Sequence, residues 1–165
     1  MIGDSTFSNG STFSGCSSLE SIDLPDKITC IHANSFSYCS SLKEIVIPKS
    51  VTYIEGYAFA YCSNLKSIIV SDSVTGFPET TFYDCTSLEK IIFGTGLKTG
   101  GVFWDSKYIK EIHCRSTIPP SIIGFNNEVY NNATLYVPKG CNEAYHTAIT
   151  VSYTHLRAHE TLSDL

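Results

Sequence analysis

The sequence predicts a β-rich solenoid, in which one short unit repeats along an axis and each copy stacks on the next. Three observations support this fold class. A pattern of phenylalanine, cysteine and leucine recurs at a constant spacing of 23, the segments between these patterns alternate apolar and polar residues, and proline or glycine follows most of those segments. Because a unit of this size cannot bury its apolar face alone, neighbouring copies must stack.

Each copy contains a compact turn with phenylalanine, cysteine and leucine in fixed order. We interpret these residues as structural positions that fill the turn. They are Phe13, Phe36, Phe59 and Phe82, then Cys16, Cys39, Cys62 and Cys85, and then Leu19, Leu42, Leu65 and Leu88. Stacked cysteines could also form a ladder of disulfides. Ser106 in the cysteine column of the next copy favours the packing interpretation, since a position that requires a disulfide would not accept a hydroxyl.

A short strand is predicted after each turn. Alternation in residues 19–24 places Ile22 and Leu24 on one face and polar side chains on the other, which is typical of a half-buried strand. The same two positions recur at a spacing of 23 as Ile45, Ile68 and Ile91, and as Ile47, Val70 and Phe93. Stacking of the copies predicts parallel strands side by side, about 4.8 Å apart.

A bend and a second extended piece complete each predicted coil. Pro25 and Pro48 end their strands, and residues 51–54 are an example of the second piece. The next copy follows at a spacing of 21, which carries Ile112 into the strand column, and Leu135 lies one full repeat further on. We therefore predict about six coils, closed by a short helix over residues 142–148.

The domain boundaries follow from the repeat. Residues 1–150 are predicted to form the solenoid, which begins inside a repeat without an N-terminal cap and reads as a fragment of a longer protein. Residues 151–165 fit no column of the repeat and are similar to translated sequencing-adaptor read-through at the end of an assembled fragment. A native linker or helix that leads to a further domain is the alternative.

Composition and charge argue against nucleic acid and membranes as partners. The chain has 165 residues, a formal net charge of -5 and only 16% charged residues. This balance provides no basic field for nucleic acid or for an anionic membrane surface. The apolar runs are also far shorter than the roughly 20 residues that a membrane helix needs, so we expect no membrane insertion.

No reactive constellation is recognisable. The chain has no Gly-x-Ser-x-Gly elbow and no phosphate-binding loop, and we predict neither an enzyme nor a cofactor. It also lacks a Cys-x-x-Cys pair and any Cys/His set at finger spacing, so we predict no metal site. His155 and His159 are spaced as a helical metal pair would be, but no third ligand accompanies them.

The recurring pattern Ala-Phe-x-x-Cys-x-x-Leu-x-x-Ile-x-Ile, to which residues 58–70 conform closely, resembles the BspA-like class of leucine-rich repeats. Residues 133–140 are similar to that family's C-terminal ending. The resemblance implies a curved leucine-rich-repeat superhelix, with a parallel β-sheet on one face and short extended or helical turns on the other. It also implies a cell-surface or secreted protein that adheres to a host extracellular protein. The alternative is a structural spacer without a ligand of its own.

The outward strand positions are the predicted ligand-binding surface, because solenoids bind along extended faces and exposed apolar area often marks a contact site. The candidates are Val46, Ile69, Ile92, His113, Glu44 and Lys90. The alternative is that β-branched residues occur here because they favour strands. His113 is predicted to be solvated on the polar face of its strand.

Overall fold

The structure, a computed structural model, describes residues 10–103, 105–121, 124–150 and 157–160. The first nine residues of the predicted solenoid lie outside this range, as does His155. The elements are β1 (Cys30–Ile31), β2 (Glu44–Val46), β3 (Tyr53–Ile54), β4 (Ser67–Ile69), β5 (Lys90–Phe93), β6 (Val102–Phe103), β7 (Glu111–Cys114), β8 (Gly124–Phe125), α1 (Asn127–Asn132), β9 (Thr134–Val137), α2 (Asn142–Thr150) and β10 (Arg157–Glu160).

The main sheet confirms the predicted parallel solenoid. Its six strands lie in the order β2, β4, β5, β7, β9 and β10, and every neighbouring pair is parallel. Ile68 pairs with Ile45 on one side and with Ile91 on the other. Ile91 then pairs with Ile112, as the shortened spacing between these two copies requires. Residues at the same position of successive repeats are therefore direct neighbours across the sheet.

The predicted count of six coils is only approximate. Lys43 donates a backbone hydrogen bond of 3.1 Å to Glu20, but the segment around Ile22 is not a paired strand among the described residues. Ile22 and Leu24 are only partly buried against the core, so this edge has less packing to hold a regular ladder. Five of the six predicted strands are formed, as β2, β4, β5, β7 and β9.

A second sheet runs along the solenoid where the second extended pieces were predicted. Strands β1 and β3 pair in parallel, with Ile31 beside Ile54. Single bridges then connect Tyr53 to Gly76, Gly76 to Thr99, and Thr99 to Ser121. Strands β6 and β8 form a third, two-stranded parallel sheet. Each coil is thus hydrogen-bonded to its neighbours at several points around its circumference.

Stacked phenyl rings form the spine of the core. Phe59 lies between Phe36 and Phe82, with ring centroids 5.2 and 5.4 Å away and planes nearly parallel. Contacts at 5.3, 5.7 and 5.5 Å extend the stack from Phe13 at one end to Phe103 and Phe125 at the other. Six rings from successive coils therefore make one continuous apolar column, which fixes the coils relative to one another.

The cysteine column hydrogen-bonds along the same direction. Cys62 and Cys85 donate their thiols to the carbonyl oxygens of Phe36 and Phe59, at Sγ–O distances of 3.1 and 3.2 Å. Burial raises the pKa of Cys62 to about 12. Ser106 continues the column by donating its hydroxyl to the Cys85 carbonyl at 2.9 Å. All seven cysteines are free in this structure, and Cys16 in the first described turn is exposed.

Gly94 and Ser71 occupy the place that proline holds after the earlier strands. A Cβ atom at Gly94 would overlap the carbonyl oxygen of Ser71, so the close approach of the two coils requires glycine there. Ser71 donates its own hydroxyl to the carbonyl of Pro48 at 3.0 Å. Where Ser71 and Gly94 stand in place of proline, direct contact between coils thus replaces a rigid proline bend.

Two helices close the repeat. The predicted C-terminal helix is confirmed as α2, which begins at Asn142 as expected. Helix α1 was not predicted from the sequence; the Asn126 side chain caps it by accepting from the Val129 N–H at 3.0 Å. Tyr145 of α2 is buried and donates its hydroxyl to the carbonyl of Ser116 at 2.8 Å. Neither α1 nor any other helix in the part of the chain that the structure describes could span a lipid bilayer.

Candidate binding surface

The outward side chains of the main sheet form one continuous row across five strands. Val46 is the register partner of Ile69, Ile69 of Ile92, and Ile92 of His113. His113 in turn pairs with Tyr136 of β9. We refer to these five residues as the strand-face ladder. Parallel strands in register place such side chains about 4.8 Å apart, so the ladder is a contiguous apolar and aromatic stripe.

Exposure along the strand-face ladder is graded. Val46 is 54% exposed, and Ile69 and Ile92 are partly exposed. His113 is only 8% exposed, so the prediction that it is solvated was wrong. The physical reason is Tyr136, whose ring stacks on the imidazole at a centroid distance of 4.4 Å and covers it.

Charged side chains pair with one another in the row next to the ladder, which includes Lys90 and Glu111. Glu111 accepts from Lys90 at 2.7 Å and lies 3.3 Å from Nε2 of His113. Hydrogen bonds from Lys90 and His113 hold the pKa of Glu111 below its ordinary value. Burial lowers the pKa of His113, and the nearby Lys90 and Arg115 act in the same direction, while Glu111 opposes them.

A groove of about 620 Å³ lies along the N-terminal part of the ladder. Val46 and Ile69 form part of its wall. Four carboxylates and two cationic side chains also line it, namely Asp23, Asp26, Glu44, Asp72, Lys49 and Arg115. Because carboxylates outnumber cations, the lining of the groove carries a net negative charge.

The structure brings all six predicted surface residues together. Val46, Ile69, Ile92 and His113 belong to the strand-face ladder, and Glu44 and Lys90 lie in the adjacent row. Sequence reasoning missed Tyr136, although a simple signal was available. It lies one full repeat after His113 and therefore occupies the same column.

Four tyrosines form a second exposed patch, on the turns. Tyr38 and Tyr61 stack at 4.5 Å, and Tyr83 meets Tyr61 and Tyr57 edge to face at 5.5 and 6.5 Å. Tyr38, Tyr57 and Tyr61 have φ angles of 61°, 57° and 61°. The left-handed region costs a side chain about 1–2 kcal/mol, so stacking between coils offsets part of this strain. The patch was not predicted from the sequence.

One set of side chains could hold a metal ion, among the residues that the structure describes. Cys30, His32 and Glu55 place one ligand atom each within 4.8 Å of the others. Cys30 begins β1, and His32 and Glu55 directly follow β1 and β3, outside the strand-face ladder. The expectation of no metal ligands missed this set because it looked for finger spacing along the sequence, whereas Glu55 comes from the next coil.

Comparison with known proteins identifies the repeat. The model of the BspA type leucine-rich repeat region matches residues 2–136 in six copies. The chain belongs to the BspA type leucine-rich repeat family. A solved structure of a leucine-rich repeat protein from Bacteroides ovatus is similar, with 23% sequence identity and a TM-score of 0.44. The match covers 81% of this chain and 43% of that one, so the chain spans less than half of that protein's length.

No curated protein matches the chain.

The strand-face ladder lies wholly within the residues that match the BspA type family. The family match ends at Tyr136, the last residue of the strand-face ladder. Each BspA type repeat of the main sheet therefore supplies one residue to the ladder and one buried isoleucine or leucine directly before it.

Proposed function

We propose that this chain is a protein-binding module of a cell-surface or secreted protein, and that it contacts a host extracellular protein along the strand-face ladder. One observation carries the proposal. Successive coils present Val46, Ile69, Ile92, His113 and Tyr136 in unbroken register on the outward face of the main sheet. Leucine-rich repeats belong to the solenoids, which use such extended faces to bind partners.

The exposed end of the ladder supports this interpretation. A strand face that serves only as a solvated surface carries polar residues, but Val46 exposes 54% of its surface to solvent. A partner that covers Val46 and Ile69 would gain roughly 25 cal/mol for each Å² of apolar surface removed from water. The apolar part of the contact would supply affinity, with Val46 as its most exposed residue.

The charges indicate the chemistry of the partner. Asp23, Glu44 and Asp72 contribute carboxylates to the groove beside Val46. We expect a partner segment that combines apolar side chains with lysine or arginine. Charge complementarity would mainly raise the association rate and make it sensitive to salt.

Membership of the family supports the proposed localisation and role. BspA type repeat proteins are often found at the cell surface or in secreted form, which supports an extracellular contact. A structural spacer within a larger surface protein is the second candidate. It is favoured by the continuous phenylalanine stack, which would stiffen a stalk equally well.

A binding assay separates the two candidates. The purified chain is titrated onto a panel of immobilised host extracellular matrix proteins, with serum albumin as the negative control. We expect saturable binding to at least one matrix protein, and loss of at least about tenfold in affinity when Val46, Ile69 and Ile92 are all changed to Thr. The Thr side chains keep the β-branched shape that suits a strand.

A variant of the tyrosine patch provides the matched control. Changing Tyr38 and Tyr83, which are 55% and 45% exposed, to Ser removes apolar surface outside the strand-face ladder. The proposal requires that this variant bind normally. Unchanged affinity of the folded triple Thr variant, or loss of binding only in the Tyr variant, would reject the strand face. Absence of any saturable partner would favour the spacer.

A further inference from the structure

Three potential metal ligands meet beside the second sheet. Sγ of Cys30 lies 3.9 Å from Oε1 of Glu55, and Nδ1 of His32 lies 3.2 Å from the same oxygen. All three ligand atoms lie within 4.8 Å of one another. The side chains are neither fully buried nor fully exposed, so an ion from solution can reach them.

The backbone brings these residues together. Ile31 and Ile54 are fully buried and paired in register. Because side chains alternate along a strand, Cys30 and His32 both point away from the core. Glu55 donates its backbone N–H to the carbonyl of Ile31 at 2.8 Å, which places it beside His32 on the neighbouring coil. The cluster is therefore set by the register of the solenoid.

The carboxylate of Glu55 is already oriented for a ligand role. Its Oε2 accepts from the backbone N–H of Ala33 at 2.8 Å, which directs Oε1 towards Cys30 and His32. The Ala33 N–H is also the main reason why the pKa of Glu55 lies below its ordinary value. Hydrogen bonds that hold a ligand in place in this way strengthen metal sites.

We propose that Cys30, His32 and Glu55 bind a zinc ion. Sulfur, imidazole nitrogen and carboxylate oxygen are the ligand types that zinc takes in proteins. Ordinary zinc–ligand lengths and tetrahedral angles require sulfur–oxygen and nitrogen–oxygen separations of about 3.6 and about 3.4 Å. The two observed distances of 3.9 and 3.2 Å differ from these by only a few tenths of an ångström, and the third pair, Sγ of Cys30 and Nδ1 of His32, lies within 4.8 Å.

The remaining coordination position is available to water, since three protein ligands leave one tetrahedral site open. Zinc binds cysteine as the thiolate, so binding displaces the thiol proton of Cys30 into solvent, and affinity should rise with pH.

The ligand set is confined to two coils. In the second sheet the positions that follow Cys30 and Tyr53 are Gly76, Thr99 and Ser121, none of which binds zinc strongly. An ion pair between His32 and Glu55 is the simpler explanation of their contact. At side-chain exposures of 33% and 39%, such a pair contributes little stability, and the Cys30 thiol adds only a long hydrogen bond of 3.9 Å to the same carboxylate oxygen.

Zinc titration of the reduced full chain by calorimetry tests the proposal. We expect each chain to bind one zinc ion, and this binding to require Cys30. A proton should be released when zinc binds. Cobalt substitution should give the visible bands of tetrahedral Co²⁺ and a near-ultraviolet thiolate-to-cobalt band. Loss of a ligand in Cys30→Ser or Glu55→Gln should weaken zinc binding by at least about 100-fold, the upper end of the effect of losing a supporting residue.

Control variants distinguish this site from other thiols and imidazoles. Cys141→Ser removes a partly buried cysteine outside the cluster, and His146→Gln removes an exposed histidine of α2. Both should bind zinc normally. Zinc binding that survives in folded Cys30→Ser, or a cobalt complex without the thiolate band, would overturn the proposal. So would the absence of one-to-one binding. None of these results depends on whether the strand-face ladder binds a protein.

Discussion

His113 and Tyr136 lie face to face on neighbouring strands, with ring centroids 4.4 Å apart and planes inclined by only 14°. The tyrosine ring takes the imidazole out of solvent, which is why His113 is buried on an outward strand face. A neutral ring stacks there without cost, but a protonated one must be charged in a desolvated position. The pair therefore makes the strand face sensitive to acid.

We predict that His113 destabilises the fold as the pH falls below neutrality. Burial holds its pKa in the folded chain below the ordinary 6.5. Between pH 6.5 and the lower pKa of the folded chain, the unfolded chain binds more protons than the folded chain. The free energy of unfolding therefore decreases as the pH falls through this range. Lys90 and Arg115 lower this pKa as well, while Glu111 partly opposes them.

Urea denaturation of wild type and His113→Phe between pH 7 and pH 5 provides the measurement. Phenylalanine keeps a flat ring for Tyr136 and removes the proton, so the unfolding free energy of the variant should decrease less. His146→Gln, at an exposed site on α2, should follow the wild type. Equal slopes for wild type and His113→Phe would contradict the prediction.

The second prediction concerns the phenylalanine stack. Phe59 is fully buried between Phe36 and Phe82. Its replacement by alanine should lower the free energy of unfolding by about 3–5 kcal/mol, because a cavity opens in the spine of the core. Equilibrium denaturation measures the loss.

Ile118→Ala is the control for this prediction, since Ile118 is 74% exposed. Its effect should stay within about 0.5 kcal/mol. If both substitutions cost the same, the ring stack would not be the main stabilising contact between coils.

The third prediction concerns the cysteines. Thiol titration of the denatured chain without reductant should find close to seven free sulfhydryl groups, as in the structure. In the folded chain Cys16 should react first because it is exposed, whereas burial raises the pKa of Cys39 to about 11 and that of Cys62 to about 12. Three or fewer thiols in the denatured chain would instead support the disulfide ladder.

Much of the fold could be predicted because the repeat converts sequence spacing into spatial adjacency. One repeat along the sequence, including the shortened one between Ile91 and Ile112, is one step across the sheet. The inward and outward columns then follow from alternation alone. The candidate surface was predictable to the same extent, since its residues share a column.

Features that depend on which side chains meet between neighbouring coils, or on unusual backbone angles, could not be predicted in the same way. Burial of His113 depends on the ring that the next coil places over it. Glu55 lies one repeat after His32 and therefore occupies the same column, but the two residues differ in type, so no repeated signature marks the proposed zinc site. The turn tyrosines have left-handed φ angles, and local propensity disfavours this conformation for a bulky residue.

The phenylalanine stack also couples the stability of neighbouring coils. Each ring from Phe36 to Phe103 lies between a ring of the coil before it and a ring of the coil after it. A coil that opens would therefore uncover apolar ring faces on both of its neighbours. Opening is thus expected to be cooperative along the solenoid, with nearest-neighbour contacts setting its free energy.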